Sequence, residues 1–266
     1  MSIFRSRQSD RSGSDDIGGL TPEDIQAVRE AMQGDFGKRP PTIGVIGVSG
    51  TGKSSTINVM FKTTLAISHT RACTKEFRAI EMGMKVLKGP AKDDPISLVV
   101  VDAPGLGEHV GRDPEYIEEY LRRLPECDVI LWLMAARNRA VSLDQQYLQQ
   151  LVRFHDRIVF AVNQVDLVHP MDWNDSINLP SVEMEANIED IVQDRSEKIA
   201  DVVGRVPDLV PFSVSKGYNL EMLFNRLITS APEDRKFVFD LLKNFSYEDF
   251  IPAEVQHLIQ QQNGPL

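Results

Sequence analysis

The chain has 266 residues, a hydrophobic fraction of 42%, a formal net charge of -10 at pH 7 and two cysteines. That length allows one or two domains around a sizeable core, and the acidic balance argues against a broad nucleic-acid-binding face. Cys73 and Cys127 are too few for a disulfide framework and share no metal-ligand spacing, so each reads as apolar filler or an exposed thiol in a reducing interior.

Residues 1–20 carry little to bury and are expected to form a disordered arm. No apolar signal core follows the first residues, and Ser2 stands where myristoylation requires glycine, so the default location is the cytoplasm. A helix is predicted within 21–38, with Thr21 as N-cap and Pro22 in the first turn, ending near Gly34. Arg39-Pro40-Pro41 then leads extended chain into the first core strand, Thr42 to Ile46. Next comes Gly47-Val48-Ser49-Gly50-Thr51-Gly52-Lys53-Ser54, followed by a helix-like stretch from Ser55 to Phe61. Strands are expected at 75–82, 95–101, 128–134, 157–162 and 208–212, and helices at 113–123, 142–153, 182–202 and 219–229. The apolar runs 96–101 and 129–136 are far shorter than the roughly 20 residues that span a bilayer, and they read as buried parallel strands. This alternation predicts an α/β fold, a mostly parallel sheet with helices on both faces, and together with the glycine-rich loop at 47–54 it implies the three-layer P-loop NTPase fold with one antiparallel strand. The expected organisation is a nucleotide-binding domain over 39–232 and a helical extension over 233–266.

Residues 47–54 form a complete phosphate-binding loop after a strand and before a helix. Its glycines let successive backbone N–H groups converge on phosphate oxygens, and the helix adds its positive end. Lys53 reaches the β- and γ-phosphates, and the Ser54 hydroxyl suits Mg2+. Gly47, Ser49, Gly50, Thr51, Gly52 and Ser55 complete the phosphate cradle. Asp102-Ala103-Pro104-Gly105 puts a carboxylate at the end of a buried strand, where it supports the metal, while the Gly105 N–H meets the γ-phosphate. Asn163-Gln164-Val165-Asp166 follows another strand. Guanine offers two adjacent N–H donors to one carboxylate, whereas adenine would leave Asp166 desolvated and unpaired. Asn163 braces the phosphate loop and the base-binding loops. Ser213 and Val214 close the last strand, where a backbone N–H suits the guanine oxygen. The expected ligands are therefore GTP or GDP with Mg2+.

The ordered motifs resemble the translation-factor-related GTPases, most of all the Era-like branch and, within it, the YfjP/YeeP type of predicted bacterial GTPases. The closer likeness lies in Asp128 to Trp132 through Arg139-Ala140, and in Asn163 to Asp166 through Pro170 and Trp173. It covers roughly residues 40 to 230 and implies GTP hydrolysis. It also implies a switch threonine that binds Mg2+ and the γ-phosphate: Thr74, with Thr70 as the alternative. Three departures stand out. Gln164 occupies the position of a lysine whose stem covers the base. Leu106 occupies that of a water-orienting glutamine, so either hydrolysis is slow or another group supplies the function, with Glu108, His109, or Arg137 or Arg139 in trans, as candidates. The phosphate loop lacks the asparagine of potassium-dependent relatives and looks like that of septin-related GTPases, which implies a homodimer through the nucleotide face. No nucleic-acid-binding module is legible, and the effector protein is not identifiable. Val255, Leu258 and Ile259 make the tail a short amphipathic helix that packs on the domain, and a membrane contact through the tail or Arg5-Arg7-Arg11 is the competing reading.

Overall fold

Continuous apolar runs make the central strands, because a parallel strand covered by helices on both sides must be apolar on both faces. The computed structural model describes residues 39–61, 77–84, 96–107, 113–138, 141–236 and 239. The expected arm, the N-terminal helix and most of the C-terminal extension lie outside these residues, as do Thr70, Thr74, Glu108, His109 and Arg139. In chain order the elements are β1 (Thr42–Ile46), α1 (Lys53–Phe61), β2 (Arg78–Met84), β3 (Ile96–Asp102), α2 (Asp113–Arg123), β4 (Val129–Ala135), α3 (Ser142–Gln150), β5 (Ile158–Asn163), β6 (Trp173–Asn174), β7 (Leu179–Pro180), α4 (Val182–Val203), β8 (Leu209–Pro211) and α5 (Leu220–Thr229). Six strands form one sheet in the order β2-β3-β1-β4-β5-β8. β2 runs antiparallel to β3, and the remaining pairs are parallel. The expected three-layer α/β fold is present.

Side chains alternate between the two faces with the strand period of two. Val129, Leu131 and Leu133 of β4 join Ile57 and Met60 of α1 and Leu223 and Leu227 of α5. Ile130, Trp132 and Met134 face the other way, onto Tyr120 of α2, Leu148 of α3 and Ile188 of α4. The long helix α4 has sequence-coded ends. Ser181 Oγ accepts the Met184 N–H at 3.3 Å, and Gly204, left-handed at φ 73, returns its N–H to Ala200 O. The predicted helix 142–153 stops at Gln150 and gives way to a 3-10 turn over Val152–Arg157. The β6–β7 hairpin lies inside what the sequence presents only as a long connection.

Candidate nucleotide site

The carboxyl ends of β1, β3, β4 and β5 line one edge of the sheet, with β1 between β3 and β4, so successive crossovers leave on opposite sides. A crevice of this kind is where open α/β sheets hold ligands. The phosphate loop rises from β1 into it. Two of its glycines are required by space as well as by backbone angle. Gly47, at φ 141, would put a Cβ 2.3 Å from Leu133 O, and Gly52, at φ 89, would put one 2.4 Å from Asn163 Nδ2. Lys53 is buried, and its Nζ donates to Gly47 O and Val48 O at 3.1 Å each, which folds the ammonium over the loop. Thr51 Oγ1 donates to Val48 O at 3.0 Å. Ser54 and Ser55 stand in the first turn of α1.

At the end of β3, Asp102 is fully buried, and its Oδ2 accepts the Ser54 hydroxyl at 3.1 Å. A hydroxyl and a carboxylate oxygen in contact are hard ligands of the kind Mg2+ takes when phosphates and water fill its remaining positions. The donor set therefore fits the metal expected from the sequence. The turn after Asp102 lies against the phosphate loop: Ser49 N donates to Leu106 O at 2.8 Å and Leu106 N to Gly47 O at 3.3 Å. A Cβ on Gly105 would sit 2.8 Å from Ser49 Cα, so only glycine allows this approach. The Tyr120 hydroxyl donates to Pro104 O at 2.5 Å. Burial, reinforced by the charge of Asp102, holds that phenol protonated well above its ordinary range. Leu106 is fully buried in the α2–α3 side of the core. Its side chain is a structural anchor under the loop, which accounts for an apolar residue there.

The residues expected from the sequence to meet the base converge from two strand ends. Asn163 Nδ2 donates to Thr51 O at 3.0 Å, while its Oδ1 accepts from Gln164 N at 2.8 Å and Val214 N at 3.3 Å. Asn163 thus links the phosphate loop to the segments that follow β5 and β8. The Val214 N–H, read as a partner for the guanine oxygen, is directed at Asn163, so a base would have to share or take over that contact. Gln164 adopts a left-handed conformation at φ 65, and its Nε2 reaches Gly50 O at 3.2 Å. The shorter side chain still spans the crevice to the phosphate loop. Asp166 accepts hydroxyls on both oxygens, from Ser213 Oγ at 2.6 Å and Ser215 Oγ at 2.7 Å.

Sequence reasoning passed over Arg195. This buried residue of α4 donates through Nη2 to Ala135 O at 3.2 Å, Ala136 O at 2.9 Å and Asn138 O at 2.6 Å. Burial lowers its pKa from the ordinary guanidinium value. It holds the turn that presents exposed Arg137 at the carboxyl end of β4. The signal was available: Arg195 falls on the stripe of α4 that buries Met184, Ile188 and Ile199.

Residues 42–164 match the model of a family described as 50S ribosome-binding GTPase. YfjP of Escherichia coli (strain K12) is 30% identical over 203 residues, which cover 73% of this chain and 63% of that protein. GTPase Era of Caldanaerobacter subterraneus subsp. tengcongensis is 23% identical over 214 residues, 80% of this chain and 62% of Era. The chain thus spans somewhat less than two thirds of these relatives' length. Toc33 of Arabidopsis thaliana, solved with Mg2+ and GMPPNP, superposes with a TM-score of 0.52 at 15% identity, covering 86% of this chain and 96% of Toc33. The fold, the ordered loops at the strand ends and these matches agree: the chain carries a P-loop GTPase domain similar to those of YfjP and Era.

Proposed function

We propose that the chain binds Mg–GTP, hydrolyses its γ-phosphate with water, and converts nucleotide state into rearrangement of the loop from Ala103 to Leu106. Lys53 and the backbone of Gly50, Thr51 and Gly52 cradle the phosphates, with Ser49 and Ser55 at the edges of the cradle. Ser54 and Asp102 hold Mg2+, with Thr74 as the switch ligand. When bound, the metal neutralises charge on the β- and γ-phosphates. The Gly105 N–H meets the γ-phosphate, and Asp166 reads the guanine edge. The observation that carries this reading is the Asp166 carboxylate, with both oxygens steered by serine hydroxyls and Asn163 bracing the phosphate loop beside it. Asp166→Asn should move preference from GTP towards XTP, whose carbonyl accepts the new amide donor. Unchanged GTP preference in competition binding would sink the assignment.

Leu106 cannot orient water from the core, so the group that does so comes from elsewhere. A homodimer across the nucleotide faces would bring Arg137 or Arg139 of a second copy to the phosphates, and an arginine supplied in this way accelerates hydrolysis by about 10³–10⁵. The buried Leu106 equally favours a second reading, a GTP-dependent assembly module with little turnover of its own and an effector protein as its output. Slow, concentration-independent hydrolysis with nucleotide-dependent partner capture would favour that reading. Among the described residues no helix is long and apolar enough to cross a membrane. A cytoplasmic site of action belongs to the same proposal, since GTP is supplied there.

A further inference from the structure

The β6–β7 hairpin packs on the outer side of the loop that steers Asp166. Asn178 at its turn is fully buried and left-handed at φ 52. Its Oδ1 accepts the Trp173 indole N–H at 3.0 Å, and its Nδ2 donates to Lys216 O at 2.9 Å. Trp173 also meets Tyr218 edge to face, with ring centroids 5.2 Å apart. Tyr218 and Ser213 exchange two backbone hydrogen bonds, at 3.0 and 3.1 Å. These contacts hold the loop 213–218 at its base and at its tip. The Ser213 and Ser215 hydroxyls of that same loop are the donors on Asp166. The exposed pair between Lys216 and Asp175, at 2.6 Å, adds little, because such pairs are screened by solvent.

We propose that the hairpin is a buttress for base recognition and that Asn178 is its positioning residue. This inference rests on the reading of Asp166 as the guanine-binding carboxylate. The chain of action runs from Trp173 through the Asn178 amide to the Lys216 carbonyl, then through the loop to the two serine hydroxyls, and so to the orientation of Asp166. An amide suits the position because it accepts from the indole and donates to the carbonyl at once, and because asparagine tolerates a left-handed backbone better than most residues. With the carboxylate held in one orientation, both of its oxygens can meet the two N–H donors of guanine. With the loop loosened, the carboxylate rotates and part of the advantage of the second donor is lost.

The test compares GDP with IDP, which lacks the exocyclic amine, on the full chain. Two variants separate side chain from backbone. Asn178→Asp keeps the acceptor for Trp173 but loses the donor to Lys216 O, and Asn178→Gly keeps the left-handed backbone without either hydrogen bond. Both should lower the GDP-over-IDP affinity ratio, by about tenfold for the loss of oriented hydrogen bonding to a part-buried charged group. Trp173→Phe, which keeps a ring against Tyr218, should lower it less. Equal losses of GDP and IDP affinity, following a fall in melting temperature, would mean that Asn178 only stabilises the fold and would overturn the inference. An unchanged ratio in Asn178→Gly would overturn it as well. Absence of GDP-over-IDP preference in the parent chain would bring down the base reading itself, and the inference with it.

Discussion

Burial pushes the Asp144 carboxyl up to about 6, against the opposing pull of the Trp132 indole N–H, which it accepts at 2.8 Å, and of nearby Arg195 and Lys53. Its ordinary value is 3.8, so between about pH 4 and 6 the folded chain holds a proton that the unfolded chain has released. Folding stability from this group is therefore fully present below about pH 4, falls as pH rises through that window, and is lost above about pH 6. Asp144→Asn keeps an acceptor for Trp132 and removes the titration. It should flatten the pH dependence of urea-unfolding stability between pH 4 and 6 and add about 3 kcal/mol above pH 7. Parallel stability profiles for the two proteins would contradict the assignment. At this scale the sequence was most informative where chemistry and spacing coincide. Lys53, Ser54, Asp102 and Asn163 stand at strand or helix ends on the carboxyl edge of the sheet, and Asp166 follows three residues after β5. Gln164 was less legible, because its reach to Gly50 O depends on a left-handed backbone that composition does not announce.

Elements whose periodicity is set by burial, such as β4, β5 and α4, were readable to within a residue or two. The β6–β7 hairpin was not, because two-residue strands have too few positions to show alternation. Its turn residues, Asn174-Asp175-Ser176, were the available signal, and Asn174 Oδ1 does accept the Ser176 N–H at 3.1 Å. The predicted helix over 142–153 ran long because Leu151 and Phe154 continue an apolar pattern that the 3-10 turn buries equally well, while Val152 is left exposed. At the opposite edge of the sheet, the buried Asp128 just before β4 binds together segments distant in sequence. It accepts the Thr42 N–H at 2.9 Å and Arg235 Nε at 3.2 Å, and pairs with Arg39, while Arg235 Nη2 donates to Arg39 O at 2.7 Å. Asp128→Ala would remove the buried carboxylate that Arg235, Arg39 and the Thr42 N–H share and should cost about 3 kcal/mol in chemical unfolding. A loss within the ~0.5 kcal/mol typical of surface substitutions would show that the cluster is not structural. Beside it, burial followed by the charge of Asp128 pushes the Cys127 thiol up to about 12, so this cysteine is the inert filler that the sequence offered as one of two readings.

Across the whole molecule, the parallel sheet separates these jobs. The Asp128 cluster ties the lead-in to β1 and the segment after α5 at one edge, leaving the loops at the carboxyl edge to respond to nucleotide. The phosphate loop is joined to the Asp102 turn through Ser54 and Leu106, and to the segments after β5 and β8 through Asn163, so on the function proposed above a change at the γ-phosphate would have a direct mechanical route to the Gly105 turn. Leu106 anchors that route in the core, and on the proposed function another group would have to orient the attacking water. The most direct test is phosphate release from GTP, with ATP as control, over a wide range of protein concentration. The account predicts release from GTP and not from ATP, at a rate per molecule that climbs with concentration as a second copy completes the site. Equal release from both nucleotides would contradict the guanine-specific site, and a GTP-specific rate that stays flat would contradict its completion by a dimer.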